Sequence, residues 1–334
     1  MTDPNRRTRL GKTGPSVFPI ALGCMGMSGA YGPSDENESI ATIREAIDRG
    51  ITLLDTGDFY GMGHNEMLIR RAIEGQRDKV QLSVKFGALR GPDSAWLGVD
   101  ARPAAVKSFA AYSLQRLGVD VIDVYRPARL DPNVPIEDTV GAIAELVKAG
   151  YVRHIGLSEV GVETIRRANK VHPIVDLQIE YAVITRGPED AIFPALAELG
   201  MSATLYGVLS RGLLTGSKIG SKGDFRGFLP RFAGEAGARN SSTVERFHAF
   251  AAERGMTPAQ LSVAWVLAKQ PSLVPVIGSR TRKQLHDMLG ALEKPLSPGD
   301  VAAVEAFLPK DAIAGTRYGA DQMKHLDSER SVSP

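Results

Sequence analysis

Short apolar runs alternate with amphipathic stretches along almost the whole chain. Runs rich in Val, Ile and Leu fall at 17–23, 52–56, 81–86, 122–128, 154–158, 176–181, 203–208 and 274–278. Their near-continuous hydrophobicity is that of parallel strands buried on both faces. Between them, apolar positions take helical spacing at 38–48, 67–74, 103–117, 136–149, 162–170 and 188–198. A seventh helix is predicted to open at Thr257-Pro258-Ala259-Gln260, with Thr257 as N-cap and Pro258 in the first turn. Each strand–helix pair takes roughly 30 residues, the usual length of such a unit, and the interval before the last strand is about twice that. That interval holds 217–240, which is Gly-, Phe- and Arg-rich without a period, and then an extra helix over 242–254. A long irregular segment in a compact domain is usually functional, so a flap over the ligand is expected there.

Eight such units predict an α/β fold, a (β/α)8 TIM barrel, with 1–334 a single domain. Residues 8–309 form the barrel, and 310–334 form a polar tail, with Arg317-Tyr318-Gly319, that either covers the mouth or stays loose. Gly11-Lys12-Thr13 is expected to close an N-terminal hairpin. A doubly wound sheet is the competing fold, but Gly23-Cys24-Met25-Gly26 and Gly61-Met62-Gly63-His64-Asn65-Glu66 both miss the dinucleotide-binding spacing.

Barrel chemistry sits at the carboxyl ends of the strands. Asp55 and Tyr60 lie in Leu53-Leu54-Asp55-Thr56-Gly57-Asp58-Phe59-Tyr60-Gly61, and Lys85 ends the next strand. A Tyr hydroxyl is a poor acid near neutrality, its ordinary pKa being about 10. A neighbouring ammonium favours the phenolate and eases departure of the proton, and an Asp within reach keeps that ammonium charged. The three residues read as a proton-transfer site, and the chain as an enzyme.

Composition narrows the partners. The 43% hydrophobic content supports a sizeable core, and a net charge of +2 without a basic stripe argues against nucleic acid or an anionic membrane surface. No 18-residue apolar run is present, and the first seven residues lack the apolar segment of a secretory signal. The single Cys24 excludes an internal disulfide and fits a reducing compartment. A soluble, cytoplasmic monomer or small homo-oligomer is expected. The six His residues show no metal-ligand spacing, so no metal is expected.

Several short stretches occur in a telling order. They are Leu10-Gly11-Lys12-Thr13-Gly14, Leu22-Gly23-Cys24-Met25-Gly26-Met27-Ser28, the Asp55–Tyr60 corner, the Lys85 strand, Gly156-Leu157-Ser158 and Gln178-Ile179-Glu180-Tyr181. Ser210-Arg211-Gly212-Leu213-Leu214-Thr215-Gly216 and Val276-Ile277-Gly278-Ser279-Arg280 complete them. With this order and spacing the chain resembles an aldo-keto reductase over about residues 8–309. The resemblance implies NADPH extended across the mouth and hydride transfer to an aldehyde or ketone carbon. It makes Tyr60 the acid, Lys85 its tuning group and Asp55 the anchor of Lys85.

One element of that family pattern is absent. A His is usual near the end of the fourth strand, in a Gln-x-His-Arg context. Here Tyr125-Arg126-Pro127-Ala128-Arg129 places Ala128 at the His position and Arg126 where Gln is usual. Losing a positioned donor of this kind costs on the order of 100-fold in rate. Residues 126 and 128 share a strand face, so Arg126 is expected to point into the mouth and replace the donor. The non-His residue resembles pyridoxal reductase-like members and also the β-subunits of potassium channels. Two readings follow: a reductase of small aldehydes, pyridoxal-like ones favoured, and a cofactor-binding sensor with vestigial activity.

The resemblance also assigns cofactor contacts. Ser158 holds the carboxamide, with Glu159 where Asn is usual, and Gln178 reaches the same amide. Tyr206 stacks on the nicotinamide, and Gly207-Val208-Leu209-Ser210 followed by Arg211 makes a pyrophosphate loop of altered course. Ser279, Arg280 and Arg282 open a helix whose N-terminus and arginines suit a 2′-phosphate, which favours NADPH over NADH. Gln284 and Asp287 face adenosine, while Met288 stands where Asn is usual. Trp96 joins Arg126 and Ala128 at the substrate side.

Overall fold

The computed structural model describes residues 7–217, 219 and 224–330. The first six residues read for a secretory signal, positions 218 and 220–223 of the expected flap, and the end of the tail lie outside the described residues. A hairpin of β1 (Thr8–Arg9) and β2 (Ser16–Val17) opens the fold. The barrel strands are β3 (Ala21–Gly23), β4 (Leu53–Gly57), β5 (Gln81–Phe86), β8 (Ile122–Pro127), β9 (Val152–Ser158), β10 (Ile174–Glu180), β11 (Ser202–Tyr206) and β12 (Leu273–Gly278). Among the described residues these eight parallel strands close in chain order, β12 pairing with β3. A second hairpin, β6 (Ala88–Arg90) with β7 (Trp96–Val99), stands on the mouth side after β5.

Helices α1 (Glu36–Asp48), α2 (His64–Ala72), α3 (Pro103–Leu117), α4 (Ile136–Lys148), α5 (Val162–Val171) and α6 (Ile192–Leu199) wrap the outside. They continue with α7 (Gly234–Ala252), α8 (Pro258–Lys269), α9 (Arg282–Leu289), α10 (Pro298–Phe307) and the short α11 (Ala320–Lys324). Helix α8 starts as its sequence predicts: the Thr257 side chain accepts from the Gln260 amide and Gln260 reaches back to complete a capping box.

The expected first strand, 17–23, is two elements, because Val17 pairs in the hairpin and only Ala21–Gly23 enters the barrel. The expected sixth helix begins later, as a 3-10 turn at Gly187–Glu189 precedes α6. The extra helix starts at Gly234 rather than 242, which shortens the expected flap. Trp96 lies on β7, exposed, with the Arg90 guanidinium 5.3 Å from its ring.

Inward-facing side chains form three levels. The hairpin plugs the bottom, where Leu10 and Val17 pack with Ala21, Leu53, Val124, Val175 and Val274. Backbone and side-chain bonds pin it there: the Gly11 amide donates to Ser202 Oγ at 2.8 Å and the Lys12 amide to the Gly200 carbonyl. The middle level is polar. Arg126 from β8 donates to Asp176 Oδ2 of β10 at 2.8 Å and to Ser83 Oγ of β5 at 3.0 Å, and Thr204 Oγ1 of β11 donates to the same Asp176 oxygen at 2.5 Å. Gly156 of β9 makes room, since a Cβ there would stand 2.9 Å from Arg126 Cζ. The upper level is the candidate site.

Candidate active site

Strand β4 ends at the mouth with Asp55, a buried carboxylate that accepts three side-chain bonds. Lys85 Nζ donates to Oδ1 at 2.6 Å, while Ser83 Oγ and Gln178 Nε2 donate to Oδ2 at 2.9 and 2.7 Å. Three strands thus converge on one carboxylate, because side chains two apart on a strand share its inner face. After Asp55 the chain turns sharply. The Asp58 amide donates to the Lys85 carbonyl at 2.9 Å, and Gly61 and Met62 adopt left-handed backbone at φ 56 and 53°. That turn brings the Tyr60 ring beneath the Lys85 ammonium, 5.0 Å from centroid to Nζ. Buried Asn65 clamps the corner by accepting from Thr56 Oγ1 and donating to the Cys24 carbonyl and Ser28 Oγ.

The electrostatics differ from the simple expectation. Burial lifts the Tyr60 hydroxyl well above the ordinary tyrosine value, and Asp55 adds to that rise while the Arg129 guanidinium opposes it. Burial also pulls Lys85 below the ordinary lysine value, with Asp55 working the other way. Tyr60 therefore rests fully protonated, as an acid must before it gives its proton up.

Arg126 is not in the mouth, contrary to expectation. Its side chain is fully buried one level down, bound to Asp176, Ser83, Thr204 and the Leu157 carbonyl. The alternation rule placed 126 on the correct face, but the guanidinium turned inward to its carboxylate. Ala128 follows β8 at the rim, buried, its amide donating to the Phe86 carbonyl.

Around the rim three serine hydroxyls, Ser158 Oγ, Ser210 Oγ and Ser279 Oγ, are buried without a hydrogen-bond partner among the described residues. Glu159, Ser210 and Arg211 hold left-handed backbone at φ 54, 49 and 55°. Strain of this kind at consecutive rim corners marks places shaped for a ligand. Beyond them Thr281 caps α9, and the Gln284 side chain accepts from the Arg280 amide at 2.8 Å. Arg280 also donates to the Tyr31 and Pro33 carbonyls and has no carboxylate partner among the described residues. Arg282 pairs with Glu38 at 2.9 Å on the surface, and Asp287 accepts from Thr257 Oγ1 at 2.8 Å. Orphaned hydroxyls, a helix N-terminus and a carboxylate-free arginine together form a donor set fitted to an extended, polar, anionic ligand.

The tail closes one side of this rim, with Arg317 buried rather than loose. Its guanidinium forks onto Glu159 at 2.8 and 2.6 Å, and Ser328 Oγ donates to Glu159 Oε2 at 2.6 Å. Burial alone would raise the Glu159 carboxyl, but Arg317 and its other donors outweigh it and hold the group far below the ordinary carboxylate range. Tyr206 Oη donates to Glu159 Oε1 at 2.7 Å and lies 3.0 Å from Tyr318 Oη. Arg211 donates to Glu180 Oε2 at 2.6 Å under the Tyr318 ring. Sequence reasoning gave no role to Asn65, Glu180 or Arg129, and read Arg317-Tyr318 only as part of a tail that covers the mouth or stays loose. Glu180 had a signal, since it lies in the quoted stretch around Gln178.

Among the described residues, no group of three or more His, Cys, Asp or Glu could hold a metal ion, and no helix is long and apolar enough to cross a membrane. The family model described as Aldo/keto reductase family matches residues 19–309. Probable aldo-keto reductase 1 of Glycine max is 39% identical over 317 residues, which cover 93% of this chain and 91% of that one. A glycerol dehydrogenase from Gluconobacter oxydans has a similar solved structure, with a TM-score of 0.81 at 25% identity over 98% of each chain. An aldo-keto reductase from Bacillus halodurans, solved in its holo form, gives 0.75 at 26% identity over 91% and 97%.

Proposed function

Because the chain belongs to the aldo/keto reductase family, we propose that it is an NADPH-dependent reductase of aldehydes, with pyridoxal-like aromatic aldehydes as the favoured class. The observation that carries this reading is the convergence of Asp55, Lys85 and Tyr60 at the mouth. A bound nicotinamide would supply the hydride for the carbonyl carbon. Tyr60 gives its proton to the carbonyl oxygen. Lys85, held by Asp55, stabilises the phenolate left behind, and Ser83 and Gln178 keep Asp55 oriented.

Ser158 and the Oε1 side of Gln178 would hold the carboxamide, and Tyr206 would face the ring. Glu159 cannot serve as a free acceptor there, because Arg317, Ser328 and Tyr206 already occupy its oxygens. Ser210 and Arg211 would meet the pyrophosphate, and Ser279, Arg280 and Arg282 a 2′-phosphate, with Gln284 and Asp287 beside adenosine. Arg280 is the stronger support for NADPH, since Arg282 already pairs with Glu38. Trp96 and Ala128 border the substrate side.

Purified protein is assayed for NADPH and NADH oxidation with a panel of aldehydes including pyridoxal, alongside Tyr60→Phe. Turnover should fall at least ~100-fold in the variant, as for loss of a general acid, and NADPH should be preferred. Tight NADPH binding with negligible turnover on every aldehyde would instead support the sensor reading.

A further inference from the structure

We propose that Arg129, not Arg126, is the positively charged donor to the reacting oxygen; this rests on the reductase reading. Ala128 offers only a methyl group where the family pattern has its donor, and Arg126 is spent on Asp176 below the site. Arg129 is the next residue along the same rim. Its Nη1 donates to the Ala128 carbonyl at 2.6 Å, which folds the guanidinium back toward the end of β8. Nη2 donates to Tyr318 Oη at 3.3 Å, and the Tyr318 ring centroid lies 5.9 Å from Cζ. Tyr318 in turn meets Tyr206, so the guanidinium is steadied between the β8 corner and the tail.

Arg129 differs from the neighbouring arginines in how its charge is met. Around the same rim Arg211 pairs with Glu180, Arg226 with Asp224, Arg231 with Glu180 and Arg317 with Glu159. Among these five, Arg129 alone makes no ion-pair contact with a carboxylate among the described residues, although it is half-buried. Glu159 meets its charge only at longer range, beyond ion-pair contact, so no direct bond to a carboxylate occupies the guanidinium and it is free to meet a polarised oxygen. A guanidinium carries five N–H donors and never deprotonates, so bonds to Ala128 and Tyr318 leave others to donate. It also lies close enough to Tyr60 to oppose the burial and the Asp55 charge that hold that hydroxyl protonated.

The step balances without a proton from Arg129. With hydride supplied by a bound nicotinamide, which would be oxidised, the carbonyl π pair would move to oxygen and that oxygen would take the Tyr60 proton. Arg129 stabilises the negative charge as it develops on oxygen and then on the Tyr60 phenolate, and no bond to it forms or breaks.

The test compares the parent chain with Arg129→Ala and Arg129→Lys, using a neutral aromatic aldehyde, a carboxylate-bearing aldehyde and benzoate. Benzoate binding to the NADP-loaded protein, read by fluorescence, needs no turnover and mimics the charged oxygen. Arg129→Ala should lower kcat for the neutral aldehyde by ~10–100-fold and weaken benzoate by ~10-fold, with NADPH affinity unchanged. Arg129→Lys, added guanidinium, or Ala128→His in the Arg129→Ala background should recover part of the rate. Unchanged benzoate affinity would overturn the proposal. So would a loss confined to KM for the carboxylate-bearing aldehyde, which would make Arg129 a substrate-tail anchor. Loss of the reductase reading would appear separately, as parent turnover insensitive to Tyr60→Phe.

Discussion

At the scale of single residues, neighbouring carboxylates and cations of the same types take opposite fates. Asp55 is embraced by three side-chain donors, while Asp58, three residues on, is met by backbone amides, Gly87 at 3.4 Å from its Oδ2 and Phe59. Burial, with nearby Glu66, pushes the Asp58 carboxyl up to about 7. Its unfolded value is about 4, so the folded protein binds the extra proton between about pH 4 and 7 and loses stability as pH rises through that window. Asp58→Asn should therefore raise stability by ~1–3 kcal/mol at pH 8 and make little difference at pH 4, measured by urea unfolding at both values. An equal effect at the two pH values would mean that charge is not the cause. Asp55, Tyr60 and Lys85 were legible in the sequence because each is set by its distance from a strand end. Arg126 was legible only as to its strand face, and its partner was not.

At the scale of elements, β5, β8, β10 and β11 are tied through the barrel interior by polar side chains rather than by apolar packing alone. Arg126 and Asp176 are both fully buried, and the pair spans from β8 to β10. Breaking such a pair strands a charge in the interior, whereas replacing both members is far milder. Asp176→Asn should destabilise the fold by ~3–5 kcal/mol, and Arg126→Met combined with Asp176→Asn should recover most of that, read from urea midpoints. A single variant as stable as the parent would show that water reaches this level. The helices were legible where caps are local, as at Thr257. They shifted where composition masks the start, as at α7, whose first turns carry Gly234 and Gly237.

At the scale of the whole molecule, the tail is part of the barrel mouth. Asp327 Oδ2 accepts from the Gly161 amide and Thr164 Oγ1 at the start of α5, and Arg317 forks onto Glu159 at the end of β9. Arg317→Ala would leave Glu159 buried with its strongest donor removed. Amide exchange across 312–330 and the first turn of α5 should speed at least ~10-fold, with barrel strands little changed. Unaltered protection would show that Asp327 suffices as the anchor.

Strand and helix alternation, the barrel and the rim positions of Asp55, Tyr60 and Lys85 were determined by sequence alone, because periodicity and strand ends are local properties. The inward turn of Arg126, the docking of Arg317 on Glu159 and the placing of Arg129 beyond ion-pair contact with a carboxylate were decided by tertiary structure. Each depends on which partner comes within bonding distance across the barrel, 50 residues away for Asp176 and 158 for Arg317. No local spacing carries that information, since a buried charge is stabilised only by what closure of the barrel brings to it.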